Sequence, residues 1–551
     1  MTEIKNDEVR RLKERGVFYL TCGLKEDAVS TLERAAKLAP EDAEIAELLS
    51  RLRPPEERKG RVIGIRSRAE RSPVSDGQPE PEMFDEPEAP PPSAADEGAE
   101  IASAAATENA PSAPSNEHAA LIAAFTAAHK ARDWPRALIA GQALAEARPD
   151  DPKAWGSLAL TQRRLFLFDA ALESHDRAMQ LTRSTNHSAA RAKTLWDAGR
   201  YAEAEAAYEA VLPHLDPESR EYADARMSLG MVRMTHKGPA AGVDDFEWRW
   251  KTGELELPAV DQPYWDGTPQ PDKRILLFGE QGFGDAIQFA RYVPVIAGRC
   301  AQVVMPCKPP LKRLMQSLPG MPDVCDQTIS RSSFDLFIPA MSCMRILGAE
   351  PGDIPCDVPY LHAAAEDVGR LRPLIWDRPG LRVGIAWTGS PTNVIAWKKS
   401  IDPSLWQTLL AVPGVSFFSL QVLRDDMPER LKTAPDGVVD LAQHLNDFAD
   451  TAAAIDCLDL VITVDTAVAH LAGALAKPVW NLIPKTPDWR WDLEREDSAW
   501  YPTMRLYRQD AFGDWAGVIA KVAHDLGGFR PPAGEEGKKR RGLTRLLPWK
   551  R

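Results

Sequence analysis

The stretch DLVITVDTAVAHLAGALAKPVWNLIP, residues 459–484, decides the fold of this chain. DLVITV (459–464) is an unbroken apolar run that stops at Asp465. A stretch rich in Ala and Leu begins at once, and a second apolar run, VWNLIP (479–484), follows it. Strands that read as continuous apolar runs are buried on both faces, and their alternation with helices implies a parallel sheet. Upstream the same pattern recurs as ILLF (275–278), QVVM (302–305), DLFIP (335–339), RVGIAW (382–387) and VSFFSL (415–420). A Pro-rich break at about 372–379 divides the runs into two sets. The expectation is two doubly wound sheets facing each other. Ligands of such sheets bind beyond the carboxyl ends of the strands, so two segments carry the chemistry.

The first follows ILLF and reads GEQGFGDAIQ (279–288). Its glycines, Gly282 and Gly284 among them, let backbone approach a ligand closely. Asp285 falls at the start of the next helix, whose free N–H groups favour the ionised carboxylate. That suits a general base taking a proton from an attacking hydroxyl, while a plain helix-start aspartate is the structural alternative. The second is Asp465-Thr466-Ala467-Val468-Ala469-His470. Thr466 is placed to cap the helix, which offers the N–H groups of Ala467 and Val468 to a phosphate. Asp465 can accept from sugar or ribose hydroxyls. His470, one turn in, either reaches a phosphate or fills the core. No Asp-x-Asp pair stands at a strand end to hold a divalent ion, so leaving-group charge falls to N–H groups and basic side chains, with Lys398 and Lys399 as candidates. The aromatic cluster Trp489, Trp491, Trp500 and Tyr501, with Arg490 among it, reads mainly as packing.

Between 117 and 250 the period is different. Trp134, Phe168 and Tyr201 stand 34 and 33 residues apart, and each is followed three residues later by an alanine: Ala137, Ala171 and Ala204. That spacing matches the 34-residue helix–turn–helix unit of tetratricopeptide repeats, whose stacking leaves a groove for a peptide or partner helix. The last helices, through Phe246–Trp250, are expected to dock on the following domain. The organisation is then an isolated tetratricopeptide-like segment at 1–50, a disordered Pro/Ala/Glu-rich linker at 51–116, repeats at 117–250, a first lobe at 272–375, a second lobe at 380–526 and a basic tail at 527–551.

Composition narrows the partners. The 551 residues carry a net charge of −13, which speaks against a broad nucleic-acid footprint. The N-terminus MTEIKNDEVRR lacks an apolar signal core, and no apolar run is long enough to span a bilayer. Seven scattered cysteines without a Cys-x-x-Cys pair point to a reducing compartment, so a cytoplasmic location is expected. The tail KKRRGLTRLLPWKR (538–551) reads as a solvated terminus or a weak membrane-surface contact.

The segments GEQGFGDAIQFARYVP and DTAVAHLAGALAKPVW, with PDWRWDLEREDSAWYPTMRLYRQ after them, resemble the ADP-heptose:lipopolysaccharide heptosyltransferase family, and most of all its relatives with tetratricopeptide repeats. The resemblance covers about 272–526. It implies an α plus α/β chain: helical repeats followed by a GT-B fold of two Rossmann-like lobes. It also implies an inverting, metal-independent transfer from a nucleotide-sugar co-substrate with no other cofactor. By the same resemblance Asp285 matches the family's base, and Asp465, Thr466, Ala467 and His470 match its donor-binding loop. The last helix, about Trp515–Leu526, matches the crossover helix that returns to the first lobe. The loop TGSPTNVIAWKK (388–399) departs from the family pattern of Asn, His and Asp with an Arg before the Ser, and has Asn393, Trp397 and Lys399 instead. The expected function is transfer of a sugar to a protein Ser or Thr held by the repeats. The alternatives are a lipopolysaccharide or lipid-linked heptosyltransferase and a non-catalytic scaffold.

Overall fold

The computed structural model describes residues 116–531, apart from 254, 256, 258, 259, 281, 326–330, 356, 391, 392, 394, 423–426 and 428–430, and five isolated positions between 32 and 49. The segments expected at 1–50, 51–116 and 527–551 fall almost wholly outside these residues. Two compact units are distinguished, with Pro114–Ala143 in one and the chain from Leu144 in the other.

Helices fill residues 116–237: Asn116–Lys130, Trp134–Ala147, Pro152–Arg164, Phe168–Leu181, Thr185–Asp197, Tyr201–Val211 and Arg220–Lys237. Trp134, Phe168 and Tyr201 each begin the second helix of a pair. Ala137, Ala171 and Ala204 are each fully buried one turn later, where only a small residue lets paired helices close up. The first helices of the pairs are fixed by side-chain caps. Asp151 accepts from Lys153 N, Ser184 from Asn186 N and Ser219 from Tyr222 N. Short helical turns at Val243–Phe246 and Glu247–Lys251 then lead into the sheets.

The first lobe is a parallel sheet in the order β3-β2-β1-β4, formed by Gln270–Phe278 (β1), Cys300–Pro306 (β2), Asp323–Cys325 (β3) and Leu336–Pro339 (β4). Ile275 lies between Val303 and Leu336. The second lobe has the order β10-β9-β8-β5-β6-β7, from Leu381–Ala386 (β5), Val415–Ser419 (β6), Val439–Asp440 (β7), Leu460–Val464 (β8), Val479–Ile483 (β9) and Met504–Arg508 (β10). Counted from β5, this is the doubly wound order 3-2-1-4-5-6, which reverses between β5 and β8. Every residue of β8 and β9 is buried, as their unbroken apolar runs require. The first sheet reverses likewise between β1 and β4. In sheets of this order a ligand is expected beyond the reversal point, which lies at the ends of β1 and β8.

Three strands, β3, β7 and β10, go beyond the seven apolar runs. β3 and β7 are too short for a pattern, and β10 interrupts its apolar residues with an exposed arginine, Arg505. The Pro-rich break is partly a helix, Ala365–Trp376, with Pro373 near its end, where it forfeits a single backbone bond. Helix Trp515–Gly528 does not return to the first lobe. Trp515, Val518, Ile519, Val522 and Leu526 join the core on one face of the second sheet, with Val383, Ile385, Leu460 and Leu482. Its apolar stripe is wide enough to seal that face, and the segment bridging to the first lobe is instead 489–501, whose aromatics share a core with Phe289, Tyr292 and Tyr360. Among the described residues no helix is long and apolar enough to cross a membrane.

Candidate functional site

The chain leaves β1 at Phe278, turns through the glycine segment and starts helix Phe283–Phe289. It leaves β8 at Val464, passes Asp465 and starts helix Ala467–Ala474 with Thr466 as the residue before the first turn. These two helix starts meet. A Cβ on Gly284 would lie 3.0 Å from Cδ2 of His470 and 3.6 Å from the Ala467 nitrogen, so the glycine is what permits the approach. Gly473, two turns away, does the same on the far side, where a Cβ would run into the Tyr501 ring. The expected residues Gly282, Gly284 and Asp285 thus share one surface with Thr466, Ala467, Val468 and His470.

Asp285 occupies the third position of its helix. Its Oδ2 accepts the Gly282 N–H at 3.1 Å, which closes the first turn. Its Oδ1 accepts Nη2 of Arg490 at 2.5 Å. Arg490 belongs to the second lobe, and its guanidinium is fully engaged: Nε donates to Gln288 Oε1 at 2.6 Å and Nη1 to Asp488 Oδ1 at 2.8 Å. Asp488 also caps the short turn Trp489–Trp491 by accepting the Arg490 N–H. On the other side of the helix start, Lys399 Nζ lies 2.6 Å from Oδ2 of Asp465. Three carboxylates and two cations therefore interleave around the two helix ends.

Environment sets their charges. Asp285 keeps 22% of its side chain open to solvent but lies deep beneath both lobes. Desolvation pushes its carboxyl above the usual range; Arg490 pulls it down, Asp488 pushes it up and Lys399 pulls it down, without reversing the outcome. For Asp488 burial acts in the same upward sense, yet Arg490 and Lys399 win and hold it down at about 2. Burial, then Arg490, keeps His470 well below the ordinary imidazole value, so the ring is neutral. Its Nδ1 meets the Tyr501 hydroxyl at 3.0 Å and its face stacks on Trp491. Behind it Arg291 is buried with backbone carbonyls of Gln288, Pro355 and Trp500 and the Tyr360 hydroxyl as its hydrogen-bond partners. Among the described residues those partners include no carboxylate, so the guanidinium brings positive charge to the base of the site.

Two expectations change. Thr466 stands at the capping position, but its side chain makes no capping bond; Oγ1 turns to Thr463 Oγ1 at 3.3 Å. Lys398 is not beside Lys399 in function. The two are consecutive in the four-residue helix Ala396–Lys399, so they leave it in different directions. Lys399 faces the helix starts, whereas Lys398 Nζ lies 2.9 Å from Oδ1 of Asp197, at the end of repeat helix Thr185–Asp197. Arg163 is a second cation there, at 3.8 Å. Burial opposes the Asp197 charge, but Lys398 and Arg163 outweigh it and hold the carboxyl below its ordinary value. Trp397 completes the junction between Phe166 and the guanidinium of Arg164.

No sequence pattern singles out Asp488, Gln288 or Arg291, and Arg490 stands in a sequence cluster that reads mainly as packing. Trp489, Trp491, Trp500 and Tyr501 are indeed buried. The signal in the sequence was the arginine itself, since a guanidinium among buried aromatics needs partners. Among the described residues no group of three or more His, Cys, Asp or Glu side chains is arranged to hold a metal ion.

Residues 424–498 match the family model for glycosyltransferase family 9 (heptosyltransferase). Protein FlbA of Caulobacter vibrioides is 26% identical over 351 residues, covering 56% of this chain and 55% of that protein, so the chain spans about half the length of the curated relative it matches. The solved glycosyl transferase family 9 structure from Veillonella parvula is similar at 12% identity, covering 47% of this chain and 97% of its own, with a TM-score of 0.34. E. coli ADP-heptose LPS heptosyltransferase II is similar at 10% identity, 46% and 98% coverage and a TM-score of 0.34. The matched residues hold the Asp465–Val468 turn and the Asp488–Arg490 segment, so this part of the second lobe is similar to glycosyltransferase family 9 (heptosyltransferase), in a chain whose lobes follow a series of helical pairs.

Proposed function

We propose that the chain transfers a sugar from a nucleotide-sugar donor to an acceptor hydroxyl at the meeting point of the two helix starts. The observation that carries this reading is the contact between the Asp285 helix and the Ala467–Val468 helix start. That contact supports a reading in which Asp285 serves as the base and the facing helix end binds the anion. The donor diphosphate sits against the N–H groups of Ala467 and Val468, with Lys399 beside them. The acceptor O–H gives its proton to Asp285, and its oxygen lone pair forms the bond to the anomeric carbon. The bond from that carbon to the diphosphate oxygen breaks, and its electron pair leaves with the nucleoside diphosphate. Attack from the face opposite the leaving group inverts the anomeric centre. Preorganised donors aimed at the developing diphosphate charge are the main source of acceleration in such a step, and they need no metal.

The acceptor we favour is a Ser or Thr hydroxyl of a protein held by the helical repeats, because stacked helical pairs form peptide-sized grooves. The family description, heptosyltransferase, favours a heptose as the sugar, and the second reading is its transfer to a lipid-linked acceptor. Both are tested with the full chain and a panel of donors that includes ADP-heptose and UDP-N-acetylglucosamine, following nucleoside diphosphate release and sugar-sized mass shifts on co-purifying proteins and on lipid. Asp285→Ala should abolish release. Equal turnover in that variant removes Asp285 from the role of base, and absence of binding to every donor in calorimetry leaves the scaffold reading in its place.

A further inference from the structure

We propose that Arg490 is a positioning residue that grips the Asp285 carboxylate from the opposite lobe, and that Asp488 sets how firmly it does so. This rests on the base role proposed for Asp285. The geometry is that of a pre-set clamp. Arg490 spends each side-chain nitrogen on a different partner: two on the first lobe, at Asp285 and Gln288, and one on its own lobe, at Asp488. Only 8% of its side chain is exposed, and the guanidinium lies over the Trp489 ring at 4.3 Å, so it cannot swing to another partner without leaving all of these. Asp488 is tied to the Arg490 backbone as well as its side chain, so it aims the arginine as it competes for its charge.

The clamp answers a problem that the site creates. A base must be ionised and pointed at the acceptor, and the burial of Asp285 disfavours its charge. The charged and titratable groups about Asp285 are Arg490 and Asp488 on the 488–491 turn, Lys399 on the 396–399 helix, and His470 at the facing helix start. Asp465, paired with Lys399, and Arg291, whose charge acts on His470, are the further charged groups among the described residues. Among the described charged residues, Arg490 is the one in direct hydrogen-bond contact with the carboxylate. Asp488 draws on the same guanidinium from the other side, and its own negative charge works against that of Asp285.

The two residues therefore act on the base in opposite senses, which a merely structural pair would not do. Turnover with the best donor of the panel is followed against pH for the wild type, Arg490→Lys, Arg490→Gln, Asp488→Asn and Asp285→Asn. The acid limb, where the base takes up its proton, should move up by about 1–3 pH units in Arg490→Gln, less in Arg490→Lys, and down by a fraction of a unit in Asp488→Asn. Limbs that stay in place, or move in the same direction in both, overturn the proposal even if Asp285→Asn is inactive. Wild-type turnover in Asp285→Asn instead defeats the base assignment itself. A readout independent of activity is the denaturation midpoint gained on adding Asp285→Asn. It should be larger in the Arg490→Gln background than in the wild type, and smaller in Asp488→Asn. Equal gains in all three backgrounds contradict the clamp.

Discussion

At the scale of single residues, the site trades stability for placement. Gly284 shows the steric side. In an isolated helix, alanine in place of glycine gains up to about 1 kcal/mol. Here the new methyl would press on His470 at 3.0 Å and on the Ala467 Cα at 3.5 Å. His470 cannot give way, because Tyr501 holds its Nδ1 and Trp491 holds its face. Overpacking of a fixed neighbour costs about 1–3 kcal/mol, so it outweighs the helical gain. Gly284→Ala should lower the urea midpoint and weaken donor binding; a higher midpoint would mean that the two helix starts are not in close contact. His470 shows the electrostatic side. Its folded value lies below the unfolded 6.5, so its contribution to stability is present above about that pH and is lost as pH falls through the acid range. His470→Gln should flatten the decline in unfolding free energy between neutral and mildly acid pH. An unchanged decline would place the histidine's titration outside that balance. Asp285 runs the other way: its folded value is raised above 3.8, so stability is greatest below that pH and falls as pH rises through the folded value. Asp285→Asn should therefore be more stable than the wild type at pH 7, with the gap closing in acid. A less stable variant at pH 7 would show that the Arg490 pair outweighs the desolvation of Asp285.

At the scale of elements, the four-residue helix Ala396–Lys399 joins two parts of the molecule. Lys399 serves the helix starts, while Trp397 and Lys398 plug into the turns of the repeats. Phe166, which opens that pocket, holds φ at 60°, a left-handed conformation that costs a non-glycine residue about 1–2 kcal/mol. The ring's packing against Trp397 and Phe512 offsets it. Asp197 faces two cations and Lys398 one anion, which fixes the order of their variants. Asp197→Asn leaves Lys398 and Arg163 buried without that carboxylate and should cost about 3–5 kcal/mol. Lys398→Met leaves Asp197 with Arg163 and should cost less, and the double variant should recover much of the loss. Both single variants should raise the donor KM through the displacement of Lys399. Equal losses, or a donor KM that does not move, would break the link between junction and site. The elements also show how far sequence could lead. Buried strands such as β8 and β9 and the aromatic–alanine period of the helices were legible because one physical demand, burial on both faces or close helix packing, falls on successive or evenly spaced residues. The positions of Asp285 and Asp465–His470 followed from strand ends. The partners of Asp285 and Lys398 did not, since Arg490 is 205 residues from Asp285 and Asp197 is 201 from Lys398, and no local pattern encodes such pairings.

At the scale of the whole molecule, the helical pairs from Leu144 onward are more than an appendage to the lobes. They meet the second lobe through Asp197–Lys398 and the cluster of Phe166, Phe168 and Phe512. They meet the first through Arg249, which donates to Glu280 at 2.8 Å, to Ser342 at 2.6 Å and to Glu247 at 2.7 Å. Glu280 lies in the glycine turn before Asp285, has no exposed side-chain surface and is pushed upward by burial against the pull of Arg249. The same helices therefore brace the turn that leads to Asp285 and the loop that carries Lys399. A chain begun at residue 252 would lose Arg249, the ion-pair partner of Glu280, and would uncover the face of the glycine turn on which that arginine packs. It would also take away Asp197, the partner of Lys398, and the Phe166–Arg164 surface that holds Trp397. Such a chain should melt well below the full protein and bind donor weakly, and Arg249→Met in the full chain should reproduce part of both effects. A truncated chain that melts and binds donor like the full one would make the lobes independent of the repeats. Because truncation is expected to damage the donor site as well as any acceptor groove, lost transfer in that chain cannot identify the acceptor. Substitutions on the exposed repeat surface, away from Arg164–Phe168, Asp197 and Arg249, are the variants whose effect on acceptor transfer, with donor hydrolysis unchanged, would separate a protein acceptor from a lipid one.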